Sequence, residues 1–162
     1  MEDDFIKTLD YAGFTARIKR LSDGLIYDAR KLYEYLDIGI EPNWHLIFLL
    51  LKKEKQLTVT EIAQQLGFTH PAIIKIIRKM KELGYAQSHV DPEDSRKQLI
   101  QLTQKGLDEL PDFEEKWKKI SLAVQEMVDP GLMQKLNELE QMLSEQSLYE
   151  RCLTKIEGNE CN

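Results

Sequence analysis

The fold is decided by residues 57–71, which read LTVTEIAQQLGFTHP. Thr58 and Glu61 have the spacing of a capping box, in which the two side chains satisfy backbone N–H groups at a helix start. Apolar residues then recur at the i, i+3, i+4, i+7 spacing of a helix, at Val59, Ile62, Ala63 and Leu66. Gly67 is typical of a left-handed helix end. This stretch therefore predicts a two-turn helix, a tight turn, and a second helix that Thr69 caps.

The second helix of the pair is predicted to run from Thr69 to Gly84. Pro71 is tolerated in its first turn, because the N–H that proline lacks has no helical partner there. One face is apolar, with Ile73, Ile76, Ile77 and Met80 at helical spacing. The other sides carry three permanent cations and two further side chains, namely Lys75, Arg78, Lys79, His70 and Ile74. The spacing predicts an exposed basic face.

The periodicity changes to two after this helix. Residues 85–90 and 98–102 are predicted strands, and the polar loop 91–97 between them makes the pair a hairpin. Two short helices followed by a hairpin are the parts of a winged helix-turn-helix. Arg96 lies at the hairpin tip, two positions after Asp94, whose carboxylate can hold the guanidinium through a bidentate bond. A fixed arginine there suits a narrow minor groove, whereas an isolated Asp-x-Arg pattern is mostly a surface ion pair.

Helical patterns flank this central part. Before it, Phe14, Ile18, Leu21, Leu25, Leu32 and Tyr35 form one stripe, with Phe5 and Leu9 as an extension. Gly39 and Pro42 end that helix, and Asn43 is the predicted cap of a buried helix with Trp44, Ile47, Phe48 and Leu51. After it, Thr103 is the predicted cap of a long helix with a heptad seam that is interrupted near Pro111 and contains Leu110, Phe113, Trp117, Ile120, Val124 and Met127. Asp129 and Pro130 begin the last predicted helix, with Leu132, Leu136, Leu139 and Leu143.

Charge is distributed unevenly along the 162 residues. The chain has 22 Lys and Arg against 28 Asp and Glu, a net charge of −6. Residues 52–105 carry +4, while residues 1–51 and 106–162 carry −3 and −7. A basic middle between acidic flanks indicates a local surface for a polyanion. The longest apolar run, residues 46–51, is too short for a bilayer, and the acidic start, residues 1–4, is unlike a signal peptide. We expect a cytoplasmic protein without a membrane segment.

The central part resembles the MarR family of bacterial transcription regulators. The resemblance rests on Leu57–Ala63, on Leu66–Pro71, on Leu83-Gly84-Tyr85, on Asp91–Arg96 and on Leu102-Thr103-Gln104-Lys105-Gly106. It implies a homodimer whose terminal helices form the interface, with each winged domain binding half of a palindrome in double-stranded DNA. It also implies regulation by a small phenolic, aromatic or lipophilic effector, and we expect a repressor.

The fold class that follows is mainly α, a winged helix-turn-helix with a short hairpin wing and a terminal-helix dimerisation bundle. The expected regions are 1–42 for N-terminal dimerisation, 43–106 for DNA binding and 107–162 for C-terminal dimerisation. The expected DNA-binding residues are Thr69, His70, Pro71, Ala72, Ile74, Lys75, Arg78, Lys79, Asp94, Arg96 and Lys97, with Arg96 in the minor groove. Many relatives carry two adjacent arginines in the wing, but here Ser95 precedes Arg96. Ile74 replaces a residue that is more often small and polar, so it either contacts thymine methyl groups or packs within the helices.

Other sites have weaker support. Trp44 and His45 lie where a ligand pocket could form, although core packing is the more common role for such a tryptophan. His45, His70 and His89 are spread over three predicted elements, so no metal site is predicted, and no cofactor motif or catalytic constellation indicates an enzyme. A thiol switch at Cys152 or Cys161 stays open, although nothing basic and helical surrounds Cys161.

Two other interpretations account for parts of the pattern. A winged-helix protein-interaction module without DNA binding would have the same fold and the same acidic total charge. The basic wing argues against it, because protein-docking surfaces more often present apolar residues. A small-molecule carrier built on the helical bundle is the third interpretation, and it predicts ligand binding that leaves DNA affinity unchanged.

Overall fold

The computed structural model describes residues 4–158 and confirms a mainly helical winged helix-turn-helix. The chain divides into two compact units, Met1–Glu115 and Lys116–Asn162. The first unit contains the helix-turn-helix, the wing and the N-terminal helices. The expected division into regions 1–42, 43–106 and 107–162 concerns their roles and stays a prediction.

The N-terminal helices come first in the larger unit. Helix α1 (Phe5–Thr8) leads through a 3-10 turn (Asp10–Gly13) into the long helix α2 (Phe14–Tyr35), as the apolar stripe predicted. Most of that stripe is exposed within the single chain. Tyr33 is the residue of α2 that is buried, and Tyr35, which the stripe included, points into solvent. The stripe therefore does not supply the core of this unit.

The centre of this unit is helix α3 (His45–Glu54), whose Ile47, Phe48 and Leu51 are buried as expected. The prediction that Asn43 caps it is wrong, because residues Pro42–Trp44 form a 3-10 turn and Trp44 occupies the N-cap position without a side-chain cap. Proline at the start of that turn already fixes the backbone direction, so the helix begins without an Asn cap.

The helix-turn-helix consists of α4 (Val59–Leu66) and α5 (His70–Glu82). The capping box is confirmed, since the Thr58 side chain accepts from the Glu61 N–H and the Glu61 carboxylate accepts from the Thr58 N–H. Gly67 has φ 65°, the left-handed conformation that glycine adopts without a steric penalty. Thr69 is the N-cap residue of α5, but its side chain makes no capping hydrogen bond.

The wing belongs to a three-stranded antiparallel sheet in the order β1-β3-β2. The predicted hairpin is confirmed as β2 (Ala86–Val90) and β3 (Gln98–Leu102), with Ala86 paired to Leu102 and Val90 to Gln98. A third strand, β1 (Gln56–Thr58), pairs with the other edge of β3 and was not predicted from the sequence. Thr58 both ends this strand and caps α4, so the sheet is joined directly to the helix-turn-helix.

A compact joint connects the end of α5 to helix α6 (Gln104–Met127). Thr103 donates from Oγ1 to the Gly84 carbonyl and accepts from the Gly106 N–H at 3.2 Å, which is the cap that the sequence predicted. A Cβ on Gly106 would lie 2.6 Å from the Tyr85 carbonyl oxygen. The Leu-Thr-x-x-Gly pattern is therefore explained by backbones that approach too closely for any side chain.

Helix α6 runs through Pro111 without a break, so the predicted interruption is wrong. The early seam residues Leu110, Phe113 and Trp117 are buried within the chain, and Val124 and Met127 are exposed. Beyond it, Asp129 caps α7 (Pro130–Glu145) as predicted, accepting from the Gly131 N–H. The sequence analysis missed α8 (Leu148–Glu157), which begins with a second capping box made by Ser147 and Glu150.

Candidate nucleic-acid interface

The basic face of helix α5 is exposed along its whole length. Buried Ile73, Ile76, Ile77 and Met80 hold the opposite face against the core. The predicted DNA-binding residues of this helix all lie in solvent, namely Thr69, His70, Pro71, Ala72, Ile74, Lys75, Arg78 and Lys79. The alternative that Ile74 packs within the helices is therefore excluded. Because one α-helix fits the major groove of B-DNA, this face has the shape and the charge of a recognition helix.

Glu82 holds two of the three cations on this face. Its carboxylate lies 3.0 Å from Lys79 Nζ and 3.7 Å from Arg78 Nε, one helical turn away. Lys75 forms no ion pair in the described part of the chain. Exposed pairs of this kind are weak and exchange readily with other anions. The helix thus presents one free cation and two that an internal carboxylate partly neutralises.

Arg96 and Asp94 form the bidentate pair that their spacing predicted. Arg96 Nε lies 3.0 Å from Asp94 Oδ1 and Nη2 lies 3.2 Å from Oδ2, while the Arg96 backbone N–H also donates to Oδ1 at 3.1 Å. Arg96 is 88% exposed although it is held in one direction. The side-chain and backbone hydrogen bonds from Arg96 lower the pKa of the Asp94 carboxyl, so the pair is intact at neutral pH. The wing tip therefore offers a preoriented guanidinium.

One hydrogen bond and one longer-range charge interaction link the wing to the helix-turn-helix. Lys81 near the end of α5 donates to Ser88 Oγ on β2 at 2.8 Å. At the start of α4, hydrogen bonds from Thr58 lower the pKa of Glu61, and the nearby positive charge of Lys97 acts in the same direction. The loop closes through Asp91 N–H to Lys97 O and Lys97 N–H to Asp94 O. Arg96 and the basic face of α5 thus belong to one continuous framework.

A cavity of about 700 Å³ lies along one flank of α5, next to its basic face and within the larger unit. Its walls come from α5, from Arg30 of α2 and from the segment 38–44, and its apolar lining includes Ile38, Ile40, Trp44, Ile76 and Leu83. Lys75 and Lys79 also line it, so the predicted DNA-binding helix is one of its walls. Arg30 pairs with Glu41 at 3.1 Å and Lys79 with Glu82, which leaves Lys75 as the unpaired charge among the described lining residues.

The two residues predicted for ligand binding are placed differently. Trp44 is 5% exposed and contributes both to the core and to the cavity wall. His45 is absent from the lining residues, and its Nδ1 lies 2.6 Å from the Pro42 carbonyl oxygen at the start of α3. Arg30 and the segment 38–41 were missed as lining residues, because the sequence offered only Gly39 and Pro42 as signs of a turn.

The remaining titratable clusters give no further site. Within residues 4–158, no group of three His, Cys, Asp or Glu side chains is placed to hold a metal ion. Cys152 is an exposed free thiol on α8, and Cys161 lies outside the described residues. None of the helices in this range is long and apolar enough to cross a membrane.

Solved structures with the same fold include several complexes. The chain is 19% identical to AbfR in a structure bound to DNA, with a TM-score of 0.66 over 90% of this chain and 98% of that one. MepR from S. aureus, in a DNA complex, is 20% identical with a TM-score of 0.67 over 82% and 96%. PcaV from Streptomyces coelicolor, in complex with its natural ligand, is 16% identical with a TM-score of 0.66 over 86% and 95%. At these identities the likeness establishes the fold.

No curated protein sequence matches the chain. The family model that does match is that of the MarR family, and it covers residues 38–97. This range begins at the cavity segment, includes both helices of the helix-turn-helix, and ends at Lys97 in the wing. Residues 38–97, which include the basic face of α5 and the tip of the wing, thus match the model of the MarR family.

Proposed function

We propose that this protein is a DNA-binding transcriptional regulator that binds a palindromic operator as a homodimer. The observation that carries the proposal is the pairing of an exposed basic recognition helix with Arg96, which Asp94 holds in a fixed direction at the wing tip. The helix supplies major-groove contacts, and the arginine enters the adjacent minor groove, where negative potential is concentrated. The MarR-family match over the same residues supports this assignment.

The overall negative charge is compatible with this function. The cations are concentrated in residues 52–105, while the acidic excess lies in the flanking segments. Phosphate contacts depend on the local surface, and net charge mainly affects solubility and steering. The 88% exposed guanidinium of Arg96, held in one direction, suits the concentrated negative potential of a narrow minor groove. DNA is therefore the better partner for this face, and a regulator of this kind works in the cytoplasm with the chromosome.

Dimerisation is supported by apolar helix faces that a single chain leaves in solvent. In the larger unit α2 exposes Phe14, Ile18, Leu21 and Leu25. In the smaller unit the helices expose Val124, Met127, Leu132, Met133, Met142, Leu143, Leu148 and Ile156. Rows of exposed apolar side chains along a helix face often mark an interface. A second copy of the chain covers them in this proposal, and two recognition helices then meet two half-sites.

The cavity beside α5 is the proposed effector site. Its apolar walls with a single unpaired cation, Lys75, fit a small aromatic or lipophilic molecule that carries one negative charge. Such a ligand would occupy Lys75, which also lies on the DNA-facing helix, so ligand and DNA compete for one side chain. Release from DNA by the ligand gives a repressor. No catalytic role is proposed.

Salt dependence tests the proposal most directly. The full-length protein is titrated onto a fluorescent random-sequence duplex, and anisotropy is read at several salt concentrations. If six or more phosphates are neutralised, affinity falls by on the order of 1,000-fold between roughly 50 and 200 mM salt. Lys75→Ala should flatten the slope, while Lys135→Ala, an exposed cation on α7, should not. No binding, or binding that ignores salt, would contradict the proposed function.

A further inference from the structure

Ile74 is an exposed isoleucine on the basic face of α5. It is 48% exposed, whereas Ile73, Ile76 and Ile77 of the same helix are at most 8% exposed. At about 100° per residue, Ile74 lies one turn from His70 and one turn from Arg78. Ile74 therefore lies in the middle of the row His70, Ile74 and Arg78, which faces the major groove in the proposed function. Its edge of the helix lies away from the cavity, which it does not line.

The chemistry of the groove limits what this side chain can contact. Ile74 has no hydrogen-bonding atom, so it cannot satisfy the donors and acceptors on the edges of guanine, cytosine or adenine. If it covered one of them, a polar group would lose its water without gaining a partner, which is unfavourable. The C5-methyl group of thymine is the one apolar feature on a base edge in the major groove.

We propose that Ile74 contacts a thymine methyl group and thereby selects thymine at one position of each half-site. The inference rests on the proposed function, because it needs α5 to lie in the major groove. The cations at the neighbouring positions 75 and 78 favour a DNA occupant over a protein one, since they fit the phosphates on both sides of the groove. In this arrangement the two cations provide sequence-independent affinity, and Ile74 discriminates thymine from the other bases.

Replacing thymine by deoxyuridine tests this contact, because it removes only the methyl group. The full-length protein first selects duplexes from a random library, which gives its preferred site. Each thymine of that site is then replaced in turn by deoxyuridine. At one symmetric pair of positions the replacement should lower affinity about fourfold per half-site, the factor that corresponds to one buried methyl-sized group. The other thymines should tolerate it.

Two variants link the effect to Ile74. Ile74→Ser should bind the thymine duplex about as weakly as the parent binds the deoxyuridine duplex, and it should no longer distinguish the two. Its salt slope should equal that of the parent, because no phosphate contact is lost. Leu107→Ser is the matched control, since Leu107 is an apolar residue of α6 with a similar exposure of 46%. The Leu107→Ser variant should still bind the thymine duplex more tightly than the deoxyuridine duplex. Circular dichroism checks that both variants are folded.

The results of these experiments distinguish a failure of the Ile74 contact from a failure of the proposed DNA binding. If the parent selects a site but no thymine in it responds to deoxyuridine, the thymine contact is refuted and DNA binding stands. If Ile74→Ser still distinguishes thymine from deoxyuridine, Ile74 does not read the base, and the Ile74 contact is refuted while DNA binding stands. If the parent selects no sequence from the library, the proposed sequence-specific function and the Ile74 contact fail together.

Discussion

Asp94 holds Arg96 through two parallel hydrogen bonds, of 3.0 Å and 3.2 Å, at the tip of the wing. Arg96→Ala removes one cation per subunit, so a symmetric dimer loses two phosphate-equivalents. We expect the salt slope of DNA binding to flatten by roughly 1.8 units, most clearly on sites with A·T-rich flanks where the minor groove is narrow. Anisotropy titrations at several salt concentrations measure this. Parent-like binding at every salt would refute the wing assignment.

The Asp94 carboxylate gives a pH dependence with a definite sign. Hydrogen bonds from Arg96 lower the pKa of Asp94 below its ordinary value of 3.8, so the pair contributes fully above that value and is lost as the pH falls through the lowered pKa. The Asp94 carboxylate therefore stays ionised between about pH 6 and pH 8, and we expect this pair to cause no change in DNA affinity over that range. Asp94→Asn should weaken binding less than Arg96→Ala, because the guanidinium remains but loses its orientation. Tighter binding by Asp94→Asn would show that the carboxylate merely repels phosphate.

Glu82 pairs with Lys79 and Arg78, so in the proposed complex it would compete with DNA for these two cations. Glu82→Gln frees Lys79 and Arg78, and we expect DNA affinity to rise by about 1.4- to 5-fold per subunit, the range of an exposed ion pair. Glu140→Gln on α7 makes the same charge change at an exposed position without an ion pair in the described chain. If both variants tighten binding equally, net charge explains the effect and the pairing at Glu82 does not.

Gly106 is the joint between the wing and α6. Gly106→Ala would bring a Cβ to 2.6 Å from the Tyr85 carbonyl oxygen, and because that atom is backbone the structure must shift. We expect a loss of about 1–3 kcal/mol in the free energy of unfolding, as for other overpacked sites. Gly24→Ala in α2, where a Cβ meets nothing within 4 Å, should instead stabilise by about 0.5–1 kcal/mol. Denaturant unfolding compares the two, and equal effects would contradict the close approach.

The exposed stripe of α2 predicts how the dimer can be broken. Leu25→Glu places a charge on the face that the proposed partner covers, and burying an unpaired charge is strongly unfavourable. We expect light scattering to show a dimer for the parent at micromolar concentration and a shift towards monomer for this variant. Ala16→Glu adds the same charge to the opposite, exposed side of α2 and should leave the dimer intact. A monomeric parent would refute the dimer.

The sequence was most informative where local chemistry decides the structure. The capping box at Thr58, the left-handed Gly67 and the proline after Asp129 each depend on neighbouring residues, and each was predicted correctly. Strand β1 was missed because its three residues are strand only through pairing with β3, more than 40 positions away. Trp44 was among the expected pocket residues, but the rest of the cavity lining was missed for the same reason, since Arg30 and Ile38 meet α5 only in the folded chain.

The seam of α6 shows a different limit. Its heptad pattern predicted one continuous apolar face, but the face is divided between the core, at Leu110 and Phe113, and solvent, at Val124 and Met127. Periodicity identifies which residues share a face of a helix, but it does not identify what covers each part of that face. The exposed face of α5 was predicted correctly because its charges cannot be buried unpaired.

Because α5 is both the proposed DNA-facing helix and a wall of the cavity, the proposal places its positions under different evolutionary constraints. In the proposed function, a substitution at Leu83 alters the cavity without changing the DNA face, and a substitution at Ile74 alters the DNA face without changing the cavity. Lys75 belongs to both surfaces, so a change there would alter the effector and the operator at once. A lineage of such regulators can therefore acquire new effectors through the apolar wall while keeping its operators. Divergence at Lys75 requires both specificities to change together.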